Sequence, residues 1–215
     1  MLDQKTIFRK WLRIGLGLVV VTMVYNIVEA GLALWFGAEA ESIALVGFGL
    51  DSIIETAAAG VVLWRLQIEA RGATSEQVEA AEQRVHRFIG VTFLALAVYV
   101  LGQAGWMLVR QEAPSESLIG IVLAAASLVI MPLVSIGKLR AATVIGSAAL
   151  RAEAKETLAC SYLSFTLLLG LGANASAGWW WADPLAALLM IPWLVKEGLE
   201  GVQGDDDDEH PVATG

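Results

Sequence analysis

The 215-residue sequence is poor in charge, cysteine, proline and histidine. Charged residues make up 17% of it, against about 25% in an ordinary soluble domain. That shortfall, with 57% hydrophobic residues and a mean hydropathy of +0.65, excludes a disordered chain, a coiled coil and most soluble enzymes. A single cysteine excludes an intrachain disulfide framework. Only two histidines are present, with neither an HExxH run for a zinc protease nor a GxxxxGK phosphate loop for an ATP-driven pump. Positive charge is also scarce. There are 22 acids against 14 bases, and five of the acids form one run, Asp205 to Glu209; the remaining 17 still outnumber the bases. Such a chain offers no basic surface to nucleic acid.

What is abundant is long apolar sequence. A membrane-spanning helix needs about 20 mostly apolar residues. Six such runs stand out: Ile14–Phe36, Ser42–Trp64, Phe88–Val109, Leu118–Gly137, Ala149–Gly172 and Pro184–Gly198. The sixth is short, with its start within Trp179–Trp181, and the fifth opens on Arg151, Glu153, Lys155 and Glu156. Lipid satisfies no backbone polar group, so runs of this length read as helices. The expected fold is an all-α membrane protein of six transmembrane helices. Residues 1–13 form a short leading segment, 14–198 the membrane domain and 199–215 an acidic tail.

The bases give the orientation. Lys5, Arg9, Lys10 and Arg13 precede span one; Arg65, Arg71, Arg84 and Arg87 separate spans two and three. Lys138, Arg140, Arg151 and Lys155 lie between or just inside spans four and five, and Lys196 ends span six. All of these fall on one side of a six-span chain, and only Arg110 falls on the other. The positive-inside rule makes the crowded side cytoplasmic, with both termini there. The eight tryptophans cluster near span ends, where amphipathic rings favour the interface. Ala38-Glu39-Ala40 looks like a signal-peptide cleavage site, but the preceding run is too long and carries Asn26 and Glu29, so it reads as a retained helix.

Carboxylates within the spans carry the functional signal, because one acid at a helix centre costs about 2.5–3.5 kcal/mol on insertion scales. Asp51 and Glu55 are four apart and share a helix face; Glu156 and Cys160 repeat that spacing on span five. Spans two and five run in opposite directions. Asp51 then lies roughly 14 Å below the outer start of its span, at 1.5 Å per residue, near the depth of Cys160, while Glu55 falls near Glu156. Asp51, Glu55, Glu156 and Cys160 would together offer three carboxylates and a thiolate, a set that suits a tetrahedral divalent ion. The alternative is a polar pair held by hydrogen bonds within the bundle. Asn26 and Glu29 mark a polar stripe on span one that either lines an access or proton path or makes interhelical hydrogen bonds.

These segments resemble the cation diffusion facilitator family. Leu45 to Glu55, with its Asp51-x3-Glu55 pair, is similar to the family's second helix; Leu150 to Cys160 is similar to the fifth, with Glu156 where His is usual and Cys160 where Asp is usual. Trp181-Ala182-Asp183-Pro184 resembles the opening of the sixth. The resemblance implies a homodimer that exports a divalent metal, often zinc, in exchange for protons by alternating access. Most members also carry a cytoplasmic ferredoxin-like C-terminal domain. About 17 residues follow span six here. A short form is therefore expected, with dimer contacts made by membrane helices and a bacterial inner membrane as its setting. Metal ligation requires deprotonated donors, so loading the site releases protons. The thiolate favours zinc or cadmium, whereas the carboxylates also accept manganese, iron or cobalt. The competing readings are a channel or metal-binding scaffold and a membrane enzyme; Cys160 has no intramembrane histidine to serve the last.

Several residues have plainer explanations. Glu153 reads as a partner for nearby bases. Asp183 followed by Pro184 reads as the N-cap and first residue of a helix. His86, beside Arg84 and Arg87, makes a poor metal site, and the Asp205–Glu209 run reads as a solvated tail. Gly15, Gly17, Gly102, Gly105, Gly170 and Gly172 would permit close helix packing.

Overall fold

The computed structural model describes residues 4–69, 75–111 and 114–203. They form six helices: α1 (Gln4–Ala40), α2 (Ile43–Glu69), α3 (Ser75–Arg110), α4 (Leu118–Ile145), α5 (Ala148–Ala177) and α6 (Ala182–Gln203). No strand occurs among the described residues. The side chain of His86 and the acidic run Asp205–Glu209 lie outside the described residues.

Five helices hold segments long and apolar enough to cross a bilayer: Thr6–Ala40, Ile43–Trp64, Arg87–Arg110, Leu118–Ile145 and Glu153–Ala177. The 22 residues of α6 extend for about 33 Å, enough for a hydrocarbon core of about 30 Å. At 37 and 36 residues, α1 and α3 are each roughly 55 Å long, so both extend past that thickness. Residues such as Val21, Val24, Val28, Val98, Val109, Val122, Val129 and Leu133 are exposed. An apolar surface spread over three helices is what lipid solvates and water does not. The chain is a multi-pass integral membrane protein.

Short, capped turns set the helix order. α1 ends where Glu41 adopts φ 55°, and the Ser42 N–H returns to Gly37 O at 2.9 Å. Ser42 then caps α2, its hydroxyl accepting from Leu45 N at 3.1 Å. Between α4 and α5 only Gly146 and Ser147 intervene. Gly146 takes φ 72°, which costs glycine little, and Ser147 accepts from Leu150 N at 3.2 Å. These two residues fold α4 and α5 into a tight antiparallel pair. At the opposite end, the α3–α4 link is tied down twice: Ser115 N–H donates to Ala40 O at 2.8 Å, and Asn174 donates to Pro114 O at 3.0 Å.

α1 packs on α2 and α4, α4 on α5, and α3 mainly on α6; α2 touches α3, α5 and α6. The larger apolar core includes Leu45, Phe48, Phe93, Val100, Leu163, Leu167, Met190 and Leu194, from α2, α3, α5 and α6. A smaller one, with Val19, Ala59, Ala141, Ala142 and Leu150, lies toward the α4–α5 turn. α3 and α6 approach so closely that a Cβ on Gly90 would lie 2.8 Å from Gly198 O. Of the glycines suggested by sequence for packing, Gly170 would meet Ala186 and Gly15 would meet Leu150. Gly17, Gly102, Gly105 and Gly172 have nothing within 4 Å.

Two expectations are corrected. Span four was expected to stop at Gly137, placing Lys138 in a loop; α4 instead continues to Ile145, and Lys138 is fully buried. Burial is tolerated because its ammonium bonds Glu153 and Thr157. Asp183 was expected to cap its own helix, but α6 begins at Ala182. Its carboxylate accepts from the Ser42 hydroxyl, from Ile43 N at 3.0 Å and from Ala44 N at 3.5 Å. Asp183 thus caps α2 across the fold, where free N–H groups and the positive end of the helix dipole favour a carboxylate.

Candidate metal centre

α2 and α5 position the central residues. The four-residue spacing places Asp51 and Glu55 on one face of α2, and Cys160 faces them from α5. The three offer one donor atom each within 4.8 Å of one another. Cys160 Sγ lies 3.9 Å from Asp51 Oδ2. Asp51 is 2% exposed, Glu55 8% and Cys160 1%, so bulk water contributes little to their solvation. Asp51 Oδ1 has no hydrogen-bond partner at all. A buried carboxylate acceptor left in that condition is costly unless a cation or a proton meets it.

α1 supplies orienting contacts. Asn26, 1% exposed, donates from Nδ2 to Glu55 Oε2 at 2.9 Å, while its own Oδ1 has no partner. One turn further along, Glu29 accepts from the hydroxyls of Ser52 on α2, at 3.0 Å, and Ser127 on α4. Tyr25 and Ser127 share a further hydrogen bond of 2.6 Å. Glu29 therefore links three helices beside the α2 pair. It belongs to a hydroxyl cage separate from the three-donor cluster.

Glu156 is the fourth sequence candidate. It is half-buried, lies one turn before Cys160 and is not among the three residues whose donors converge within 4.8 Å. It lines a polar pocket with Glu55, Thr22, Asn26, Glu153 and Thr157. The expected pairing by depth is thus seen: Asp51 meets Cys160, and Glu55 shares a pocket with Glu156. Behind that pocket Lys138 Nζ lies 2.5 Å from Glu153 Oε1 and 2.9 Å from Thr157 Oγ1. Lys138 is the one cation among the buried described residues.

Sequence reasoning missed Lys138, Ser52, Ser127, Tyr25 and Thr157. For α4 a signal existed: Ser127, Ser135 and Lys138 fall at helical spacing on one face of an otherwise apolar run, and all three are buried. The hydroxyls gave none, because serine and threonine are ordinary inside membrane helices. Donors of mixed hardness, enclosed and in excess of the available cationic partners, are what a divalent cation recognises.

That cluster lies on antiparallel second and fifth helices of a six-helix membrane bundle, which defines a class of multi-pass membrane proteins with acidic and thiol donors buried between helices. The chain belongs to the cation efflux family, the cation diffusion facilitators: it matches the family's cation efflux transmembrane domain over residues 19–201. The uncharacterized transporter sll1263 of Synechocystis is 28% identical over 161 residues, covering 74% of this chain and 52% of that protein. The chain spans about half the length of this curated relative.

Proposed function

We propose that the protein is a divalent metal cation efflux transporter, with zinc as principal substrate. The observation that carries this reading is the buried convergence of Asp51, Glu55 and Cys160 between α2 and α5 in a member of the cation efflux family. The cluster would hold the ion in transit, with Glu156 completing the set on the pocket side. Fe2+, Mn2+, Co2+ and Cd2+ are the alternative substrates. The thiolate argues for zinc and cadmium over the harder ions.

Protons are the coupling ion in this reading. Carboxylates and thiol must deprotonate to bind metal, so loading releases protons and an unloaded site returns them. Alternating access would move α2 and α5 relative to their neighbours, opening the cluster first to one side and then to the other. The distribution of basic residues supports cytoplasmic termini; the direction, efflux, follows the family. A homodimer in a bacterial inner membrane, joined through membrane helices, completes the proposal. A hydrolytic role has no support, because Cys160 lies against carboxylates and no histidine base.

The test is zinc flux with internal pH recorded in proteoliposomes, comparing the natural chain with Asp51→Ala. Zinc movement tied to opposite proton movement, both lost in the variant, is the expected result. Undiminished flux in Asp51→Ala would sink the site. Zinc flux without proton movement would sink the coupling.

A further inference from the structure

The polar pocket beside the three-donor cluster keeps unpartnered oxygens after its interhelical hydrogen bonds are made. Its six lining residues come from three helices and all are polar: Thr22 and Asn26 on α1, Glu55 on α2, and Glu153, Glu156 and Thr157 on α5. Two buried acceptors among these residues lack any partner, Asn26 Oδ1 and Glu153 Oε2, in side chains 1% and 5% exposed. Asn26 has already used its amide N–H on Glu55, and Glu153 has used its other oxygen on Lys138. What remains are two oxygen acceptors, Asn26 Oδ1 and Glu153 Oε2, that no protein donor meets. Hydrogen-bond donors satisfy hydroxyls and carbonyls in most buried sites; these two acceptors, beside the carboxylates of Glu55 and Glu156, leave oxygens free for a cation.

We infer that this pocket is a second cation position, with an all-oxygen set in which Asn26 and Glu153 are its own donors and Glu55 and Glu156 are shared with the Asp51–Glu55–Cys160 cluster. The inference rests on the reading of the chain as a divalent-cation transporter. Convergence of three acidic or thiol donors within 4.8 Å occurs only at the inner cluster among the described residues, so the pocket is the wider of the two. An all-oxygen set suits a harder ion, whereas the tighter set with a thiolate suits a softer one. Glu156 is the least buried of the pocket's carboxylates, so the pocket is most open on its side. An ion would enter there and pass by way of Glu55 to Asp51 and Cys160.

Charge supports two positions. Fully deprotonated, Asp51, Glu55, Glu153, Glu156 and Cys160 carry five negative charges, and Lys138 returns one positive. One divalent ion leaves two negative charges for protons to neutralise; two ions balance the donors of both positions, with Glu29 in its hydroxyl cage outside that count. Lys138 anchors Glu153 through one oxygen and leaves the other free to face the pocket.

The experiment is cobalt binding to the full chain in lipid nanodiscs, counted by equilibrium dialysis and followed by absorbance. The inner cluster gives a thiolate-to-cobalt charge-transfer band and the oxygen pocket gives none. Glu153→Gln, which keeps an acceptor for Lys138, is expected to lose one cobalt per chain with the thiolate band intact. The double variant Glu153→Gln/Lys138→Met removes both charges and is expected to lose the same ion. Cobalt on the acidic tail is common to all variants and cancels in the difference. An unchanged count in either variant overturns the second position. Cys160→Ser gives an independent reading: it is expected to lose the band and still hold an ion that Glu153→Gln then removes, and failure to hold that ion also overturns the position. Absence of the thiolate band from the natural chain would refute thiolate ligation at the inner cluster, while the Glu153-dependent count still decides the pocket.

Discussion

Lys138→Met should be among the most damaging single substitutions in the molecule, and the damage should be reversible by a second one. Lys138 is fully buried, its Nζ 2.5 Å from Glu153 Oε1 and 2.9 Å from Thr157 Oγ1. Glu153 is 5% exposed, and its second oxygen has no partner even in the intact protein. Removing the ammonium leaves that carboxylate without a buried counter-ion. Breaking a buried pair from one side costs about 3–5 kcal/mol. At about 2–4 °C per kcal/mol for a chain of this size, the unfolding midpoint should fall by about 6–20 °C. Lys138→Met/Glu153→Leu removes both charges, and replacing a whole buried pair by apolar groups is often neutral or stabilising by about 1–4 kcal/mol. The double variant should therefore unfold at or above the natural midpoint. The assay is thermal unfolding in detergent with a chelator present, read by a thiol-reactive fluorophore. Cys160 is the only cysteine and is 1% exposed, so it reacts when the bundle opens. A single variant within about 2 °C of the natural chain, less than the shift for 1 kcal/mol, would refute the buried pair. So would a double variant no more stable than the single.

Cys160→Ser should weaken zinc and cadmium binding more than manganese binding, because it replaces a soft donor with a hard one; competition titration checks this, and equal losses would exclude thiolate ligation. Asp183→Ala removes the acceptor for Ser42, Ile43 and Ala44 and should cost about 1–3 kcal/mol, whereas Asp183→Asn keeps a carbonyl acceptor and should cost less. Both are read as shifts in unfolding midpoint, and equal shifts would count against the capping role. Gly90→Ala should cost about 1–3 kcal/mol by overpacking, since its Cβ would lie 2.8 Å from the backbone of α6. Gly102→Ala meets nothing within 4 Å and should gain up to about 1 kcal/mol from helix propensity. The opposite signs make the two a matched test of where helices touch.

The parts legible in the sequence were those governed by local rules. Apolar runs of bilayer length gave six helices in the right order, and a four-residue spacing put Asp51 and Glu55 on one face. Antiparallel depth paired Asp51 with Cys160, because both positions are fixed by rise per residue from their own span ends. Local rules failed where the partner was distant in sequence. The Asp-Pro pair at residues 183–184 has the pattern of a local cap, yet Asp183 reaches the N-terminus of α2, 140 residues away from Ile43. Lys138 marks a span end on the positive-inside rule, yet Glu153 lies one tight turn away, and two buried charges together carry α4 past it. In each case a favourable tertiary electrostatic contact replaced the contact that local sequence offered.

The distribution of polar contacts bears on how the bundle would move. α1 is bonded to α2 through Asn26–Glu55 and Glu29–Ser52, and to α4 through Glu29–Ser127 and Tyr25–Ser127. α4 is bonded to α5 through Lys138 with Glu153 and Thr157, and through Ser135 to Ala154 O at 2.6 Å. At the opposite end Asp183 fastens α2 to α6. Between α2 and α5 themselves, the polar contacts are those of the cluster: Cys160 approaches Asp51 at 3.9 Å and lies within 4.8 Å of Glu55. α1–α2 and α4–α5, themselves joined by the α1–α4 bonds, face each other along an α2–α5 seam with few polar ties of its own, and the candidate metal donors stand on both sides of it. Binding a cation there would draw carboxylates of α2 and the thiolate of α5 toward one centre, adding the strong bond the seam lacks. Releasing it would return the seam to packing alone. A site built across this seam can couple occupancy to helix movement, because the ion's ligands differ between closed and open seams. A site within α1–α2 or α4–α5 would have no such leverage, since existing hydrogen bonds and the buried ion pair already hold those helices together.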